Sequence, residues 1–236
     1  MRIVAFVPIK MNNERLPGKN TKKFSNGKPL ISYILNTLLN VEGLDKIYVY
    51  CSNPEIKSYL PDGVEFLKRS AYLDLSTTSF NEVLTSFAED VDADVYVLTH
   101  ATAPFIGKES FEKGIAAVES GEYDSALAVE KLQEFFWKNN EPFNYDPLCI
   151  PRTQDLEPFY KETCGMYIYT ADLIKKEKRR VGHTPYLVEV SKIEACDINN
   201  EEDFVFADAL AFLGGGISNS FLIYNSFFEM RGGIAA

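Results

Sequence analysis

Residues 3–20 read IVAFVPIKMNNERLPGKN, and two kinds of sequence meet in them. The first seven residues are continuously apolar and partly β-branched, the pattern of a short buried strand. The rest turns polar at once, with Lys10, Arg15 and Lys19 set among three Asn and a Gly. Such a segment predicts a core strand that empties into a tight, cationic loop.

Apolar runs and amphipathic stretches alternate outward from this point. The spacing of Leu30, Ile34, Leu35 and Leu38 predicts a helix over 29–40. Strands are expected over 47–51 and 64–67. Val83, Leu84 and Phe87 mark a helix over 79–88, and a strand over 95–99 follows. Phe111, Ile115 and Val118 mark a helix over 108–118, before a strand over 125–129. This β-α-β order predicts an α/β fold with a mainly parallel sheet. Beyond 130 the pattern loosens: Phe135, Phe136 and Trp137 stand in a polar setting punctuated by Pro142, Pro147, Pro151 and Pro158. Further strands are expected over 165–169, 186–190 and 193–197, with a basic stretch over 175–180 between the first two. A last helix over 200–213 has Asn199 or Asn200 as its N-cap and acidic residues in its first turn. An aromatic tail, 214–236, follows three glycines.

The 236 residues suffice for a sizeable core without disulfides or metal staples. A formal charge of −10 argues against nucleic acid as a partner, since such proteins usually present a basic face. The four cysteines have neither metal-finger nor CxxC spacing and read as free thiols in a reducing compartment. The N-terminal apolar run is too short for a signal-peptide core, and no stretch nears the roughly 20 apolar residues of a membrane span. A cytoplasmic chain with no membrane partner is expected.

In an open α/β sheet, ligands bind beyond the carboxyl ends of the strands, where the loop over 10–20 falls. Cations and backbone N–H groups converging there make a polyphosphate site. The same residues also read as a solvated basic turn. Neither GxxxxGK[ST] nor GxGxxG is present, so the loop is neither a Walker A nor a dinucleotide fingerprint.

The order of the residues goes further. Arg15-Leu16-Pro17-Gly18-Lys19-Asn20 resembles the N-terminal signature of the CMP-sugar synthetases, the acylneuraminate and Kdo cytidylyltransferases. Asn26-Gly27-Lys28-Pro29-Leu30 resembles the family's helix entry. Arg69-Ser70-Ala71-Tyr72-Leu73, the cluster from Ser76 to Ser79, and His100-Ala101-Thr102-Ala103-Pro104-Phe105 resemble its nucleotide and sugar segments. Pro151-Arg152-Thr153-Gln154, Cys164-Gly165-Met166-Tyr167 and Asp197-Ile198-Asn199 continue the series. The likeness covers about nine tenths of the chain. Several positions depart from the family pattern: Lys10 replaces an Arg, Ser76 an Asp, His100 a Gln, Cys164 an Asn and Asn199 an Asp. Thr102 stands where the Kdo branch has an Asp.

The resemblance implies a Rossmann-like nucleotidyltransferase fold. It implies a cytidylyltransferase domain over 1–213, with a dimerisation arm at about 170–192 and hence a homodimer. The implied reaction transfers CMP from CTP to the anomeric hydroxyl of a sialic-acid-like nonulosonate. Kdo or another 2-keto-sugar acid is the alternative substrate, and a non-catalytic nucleotide-binding homologue the alternative role. Catalysis is implied for Lys10, Arg15, Lys19 and Asp197. Nucleotide contacts are implied for Pro8, Asn12, Asn13, Asn20, Arg69, Thr77 and Thr78. Sugar contacts are implied for His100, Thr102, Lys138, Arg152 and Tyr167, with the Arg152 guanidinium taking the sugar carboxylate. Asp197 and Asn199 are implied as ligands to Mg2+. Read without the family, Ser79 or Thr78 is a helix N-cap, Asp197 a cap of the last helix, and His100 a structural strand-end residue.

Overall fold

The computed structural model describes residues 1–214; the aromatic tail lies outside the described residues. In chain order the elements are β1 (Ile3–Ile9), α1 (Leu30–Leu38), β2 (Lys46–Cys51), β3 (Glu65–Lys68), α2 (Phe80–Asp90), β4 (Val95–Leu98), α3 (Lys108–Glu119) and β5 (Ser125–Leu132). Then come β6 (Trp137–Lys138), β7 (Glu141–Pro142), β8 (Phe159–Thr170), α4 (Ala171–Glu177), β9 (Pro185–Val190) and α5 (Glu201–Gly214). The central sheet has the order β3-β2-β1-β4-β8-β5-β9. Every pairing is parallel except those of β8, which runs antiparallel to both β4 and β5. The mainly parallel α/β architecture expected from the alternating pattern is the one observed.

The unbroken apolar run of β1 follows from burial on both faces. Ile3, Ala5, Val7 and Ile9 face a cluster with Ile31, Ile34, Leu35 and Leu38 of α1 and Phe111, Ile115 and Val118 of α3. Val4 and Phe6 face the opposite cluster, with Val83, Leu84 and Phe87 of α2 and Leu173 and Ile174 of α4. Phe6 stacks on Phe87 with ring centroids 3.9 Å apart. Each such side chain removed from water contributes roughly 1.5–3 kcal/mol. A third cluster joins Leu16 and Phe24, from the loop after β1, to Ile198, Phe204, Ala207 and Ala211. Helix α5 therefore clamps that loop against the carboxyl edge of the sheet.

Two expectations are corrected. Residues 193–195 lie in a turn and 196–197 have no regular structure, so no strand forms there. Ser191 and Glu194 make a reciprocal box there: the Ser191 hydroxyl accepts from the Glu194 N–H, and the Glu194 carboxylate accepts from the Ser191 N–H. The Glu194 carboxylate also takes the Gly107 N–H and the Ser110 hydroxyl at the start of α3. A Ser-x-x-Glu capping box is a stronger local signal than one Ile in a mixed run. The stretch over 170–192, expected as a dimerisation arm, contains regular structure. It folds into α4 and β9, and β9 pairs with β5 as the sheet's edge strand. Strand β8 is longer than expected, because residues 159–162 pair with 129–132 beyond a register shift at Leu127/Val129. This ribbon and the β6–β7 hairpin form a projection bearing exposed apolar side chains, among them Trp137, Phe143, Leu148 and Ile150.

Asn200 is the cap of α5, accepting from the Asp203 N–H at 2.9 Å, while Asp203 accepts in return from the N–H groups of Asn199 and Asn200. Ser79 caps α2 in a box with Glu82. Among the described residues no helix is long and apolar enough to cross a membrane.

Candidate active site

The chain leaves β1 at Ile9 and returns to regular structure at a 3-10 turn, Lys19–Thr21. Gly18 enters that turn with φ +67°, a conformation in which other residues are strained. Asn20, 6% exposed, ties the loop shut: its side-chain amide donates to the Lys10 carbonyl at 2.9 Å and to Asn13 Oδ1 at 3.4 Å. The closed loop walls a cleft of 270 Å3 lined by Lys10, Asn12, Asn13, Glu14, Arg15 and Lys19, with Ser76 and Asn199 also at its wall. Three cations thus share one cavity at the carboxyl end of β1.

The opposite wall is fixed by Ile198. Its N–H donates to the Thr102 carbonyl at 2.9 Å, and its carbonyl accepts from Lys19 Nζ at 2.7 Å. The turn after β4, the loop after β1 and the segment before α5 therefore meet at one residue, Ile198. Burial lowers the Lys19 pKa and Arg15 pushes it the same way, while Asp197 and Asp203 oppose them. Asp197 Oδ1 is buried with no hydrogen-bond partner, and its Oδ2 accepts from the Asn199 side-chain amide at 2.8 Å.

Beyond this wall, β4 ends at a turn in which the Ala103 N–H returns to the His100 carbonyl. The buried Thr99 hydroxyl donates to the Gly165 carbonyl at 2.6 Å. Gly165 fits because a Cβ there would meet Ile106 Cδ1 at 3.0 Å. His100 packs at 5.3 Å from the Phe80 ring. Burial and the Arg180 charge push its pKa down to about 4, so the imidazole is neutral at pH 7. Tyr167 is buried in β8, its hydroxyl donating to Glu162. The Arg180 guanidinium lies over its ring, 3.6 Å from the centroid.

Arg180 is absent from the expectations raised by the sequence, which saw only a basic stretch over 175–180. The run divides in the fold: Lys175 and Lys176 pair with Asp92 and Asp172 on the outside of α4. Lys178 closes the helix at φ 57°, and Arg180, beyond the cap, packs on Tyr167. Where a helix stops decides which of five basic residues turns inward, and no local pattern showed that stop.

Other anticipated residues stand elsewhere. Arg69 is buried, its Nη2 held by Asp74 at 2.6 Å, and Asp74 also accepts from Ser52. Pro8 is half-buried within β1, and Thr77 is exposed. The Thr78 hydroxyl donates to the Tyr72 carbonyl. Lys138 is exposed on the β6–β7 hairpin, 5.7 Å over Phe143. Arg152, its side chain 72% exposed, is held by both Asp155 oxygens at 2.7 and 2.9 Å.

The family model described as cytidylyltransferase matches residues 4–208. The chain belongs to the cytidylyltransferase family. It is 24% identical over 216 residues to an N-acylneuraminate cytidylyltransferase A of Danio rerio, covering 87% of this chain and 50% of that protein. It is 27% identical over 229 residues to a CMP-N,N'-diacetyllegionaminic acid synthase of Legionella pneumophila, covering 89% of this chain and 96% of that one. The chain thus spans about half the length of the N-acylneuraminate relatives and nearly the whole of the legionaminic one. A structure of CMP:2-keto-3-deoxy-manno-octonic acid synthetase complexed with CTP superimposes with TM-score 0.68 at 15% identity, over 91% of this chain and 100% of that one. This likeness establishes the shared fold.

Within this family member, the donor set for a divalent cation is sparse. Among the described residues no three His, Cys, Asp or Glu side chains gather as a ligand group. Asn199, at the cleft wall, has a side-chain carbonyl, and Asp197, bonded to the Asn199 amide, has one buried, unpaired carboxylate oxygen. That set suits Mg2+, which typically takes one or two carboxylates and completes its shell with water and substrate phosphate.

Proposed function

We propose that this chain transfers CMP from CTP to the anomeric hydroxyl of an acidic nonulosonate of the sialic-acid type, releasing pyrophosphate. The observation that carries the reading is the cleft itself: Lys10, Arg15 and Lys19 line it, and the orphaned Asp197 oxygen lies beside the Lys19–Ile198 tie. The names of the relatives support the nonulosonate class.

In this reading Lys10 and Arg15 offset the charge of the triphosphate. Lys19 has three N–H donors and one is committed to Ile198, leaving two for phosphate oxygens. Lys10 brings a point charge without the bidentate fork of the family's usual Arg. Asp197 and Asn199 would hold Mg2+, which when bound supplies charge neutralisation at the phosphates and a lowered pKa at the attacking hydroxyl. His100, neutral at pH 7, suits a hydrogen bond to a sugar hydroxyl better than proton abstraction, because a group with a conjugate-acid pKa near 4 is a weak base there. The sugar hydroxyl attacks the α-phosphorus in line, its proton passes to solvent, and the bond to pyrophosphate breaks. Positioning and charge stabilisation, with no covalent intermediate, accelerate such a step.

The test is pyrophosphate release from CTP and Mg2+ with a panel of sugar acids. Turnover with N-acetylneuraminate or a related nonulosonate supports the proposal. Preference for Kdo moves the substrate to eight-carbon acids, and CTP binding without turnover on any acid makes the chain a non-catalytic homologue. A homodimer is part of the same proposal, with the exposed apolar side chains of the β6–β7 projection as its contact surface.

A further inference from the structure

We infer that Arg180, not Arg152, is the residue of this chain that receives the carboxylate of the acidic sugar. The inference rests on the cytidylyltransferase reading above and extends it to one side chain.

A carboxylate site needs a guanidinium that is held in place, partly shielded from water, and left with donors to give. Arg180 meets all three conditions. Its plane is fixed by stacking on buried Tyr167, 3.6 Å from the ring centroid, with Phe80 at 5.3 Å. Its side chain is 24% exposed. Among the described residues its one hydrogen bond runs from Nη2 to Glu162 Oε1 at 3.3 Å, a long contact to an oxygen that already accepts from the Tyr167 hydroxyl. Of the five N–H donors of a guanidinium, most remain unused.

The location agrees. Phe80, which Arg180 overlies, packs against His100 at the end of β4, and His100 immediately precedes the turn whose Thr102 carbonyl is bonded to Ile198. The charges of Arg180, Asp197 and Lys19 all act on the His100 imidazole, so the guanidinium and the cleft residues lie near one side chain. Arg152 offers the contrary picture: its fork is already closed on Asp155 and its side chain lies mostly in solvent.

The experiment compares a nonulosonate accepted by the wild-type enzyme with its methyl ester, which keeps the shape and removes the charge. The proteins are the full-length wild type, Arg180→Ala, Arg180→Lys and Arg152→Ala, each checked for an unchanged melting curve. Wild type should favour the acid over the ester. Arg180→Ala should raise the KM for the acid by roughly 10- to 100-fold, the loss expected for a charge-assisted pair. It should leave the KM for CTP within a factor of about two and remove the acid-over-ester preference. Arg180→Lys should recover part of that preference, and Arg152→Ala should retain it. Should Arg180→Ala melt early, Arg180→Lys alone decides, by a preference weakened with CTP handling intact. Retention of the full preference in the Arg180 variants, or its loss in Arg152→Ala, overturns the inference. Absence of turnover by wild type on every acid instead defeats the underlying reading and is distinguishable by the wild-type arm alone.

Discussion

Lys19 and Ile198 are 179 positions apart, and a 2.7 Å hydrogen bond from the Lys19 ammonium to the Ile198 carbonyl joins them. The bond carries the loop after β1 onto the segment that presents Asp197, so one cation both closes the cleft and faces it. Replacing Lys19 by Met keeps the length of the stem and removes the donor. Turnover should fall by about 100-fold or more, as for loss of a positioned charge at a reacting phosphate. Stability should fall by about 1.5–3 kcal/mol, the range for a hydrogen bond involving a charged group. Pyrophosphate release and urea denaturation measure the two losses separately.

Asp74 should matter to the fold more than to the chemistry. Arg69 is almost fully buried and its guanidinium depends on Asp74, with Arg69 Nε left without a partner. Removing the carboxylate by Asp74→Ala strands a buried charge. That should destabilise the protein by about 3–5 kcal/mol. A urea titration reads the stability loss. At temperatures where the variant is folded, its KM for CTP should stay close to wild type.

The same contrast shows how far the sequence carries. Residues whose position follows from local pattern are where that pattern puts them: β1 is a strand buried on both faces, Ser79 caps α2, and Lys10, Arg15 and Lys19 share the cleft. Residues whose role depends on a tertiary event are not so readable. Arg180 becomes part of the site because Lys178 ends α4 in a left-handed cap. Arg69 turns inward because Asp74, five residues on, neutralises it. Arg152 turns outward because Asp155, three residues on, does the same in solvent. A motif names residue types in order, whereas the choice of partner for each charge is made by the packed chain.

His100 makes the acid limb of the stability curve testable. Its folded pKa, near 4, lies below the ordinary value of 6.5, so between these limits the unfolded chain binds more protons than the folded one. The stability tied to neutral His100 is therefore fully present above pH 6.5 and is lost as pH falls towards 4. His100→Gln should flatten this part of the slope, seen as a smaller drop in urea midpoint between pH 7.5 and pH 5. Between pH 6.5 and 8 the imidazole stays neutral, and the substitution should leave the shape of the activity profile unchanged.

The projecting ribbon gives a prediction about assembly. Trp137 is 62% exposed, Phe143 53% and Leu148 96%, an apolar set unusual for a free surface. If a second copy covers these residues, Trp137→Glu together with Phe143→Glu should halve the mass measured by sedimentation equilibrium. The substitutions lie on a hairpin outside the sheet core, so the melting temperature of the monomer should change little.

The last prediction concerns Asn199. Its side-chain amide now donates to Asp197 Oδ2 at 2.8 Å, while Asp197 Oδ1 is buried without a partner. Asn199→Asp removes that donor and sets a second carboxylate beside the first. Without a cation the pair repels; a bound Mg2+ would gain a second charged ligand, and added ligand charge tightens hard-cation sites. The Mg2+ concentration giving half-maximal pyrophosphate release should drop roughly three- to tenfold, and the variant should melt earlier in a chelator than wild type does. Asp197→Asn should act in the opposite sense, raising the Mg2+ requirement and lowering turnover, because it removes the carboxylate charge proposed to hold the ion. An Asn199→Asp enzyme with an unaltered Mg2+ requirement, alongside an Asp197→Asn enzyme of normal turnover, would return both residues to the capping of α5, where Asp203 and Asn200 already suffice.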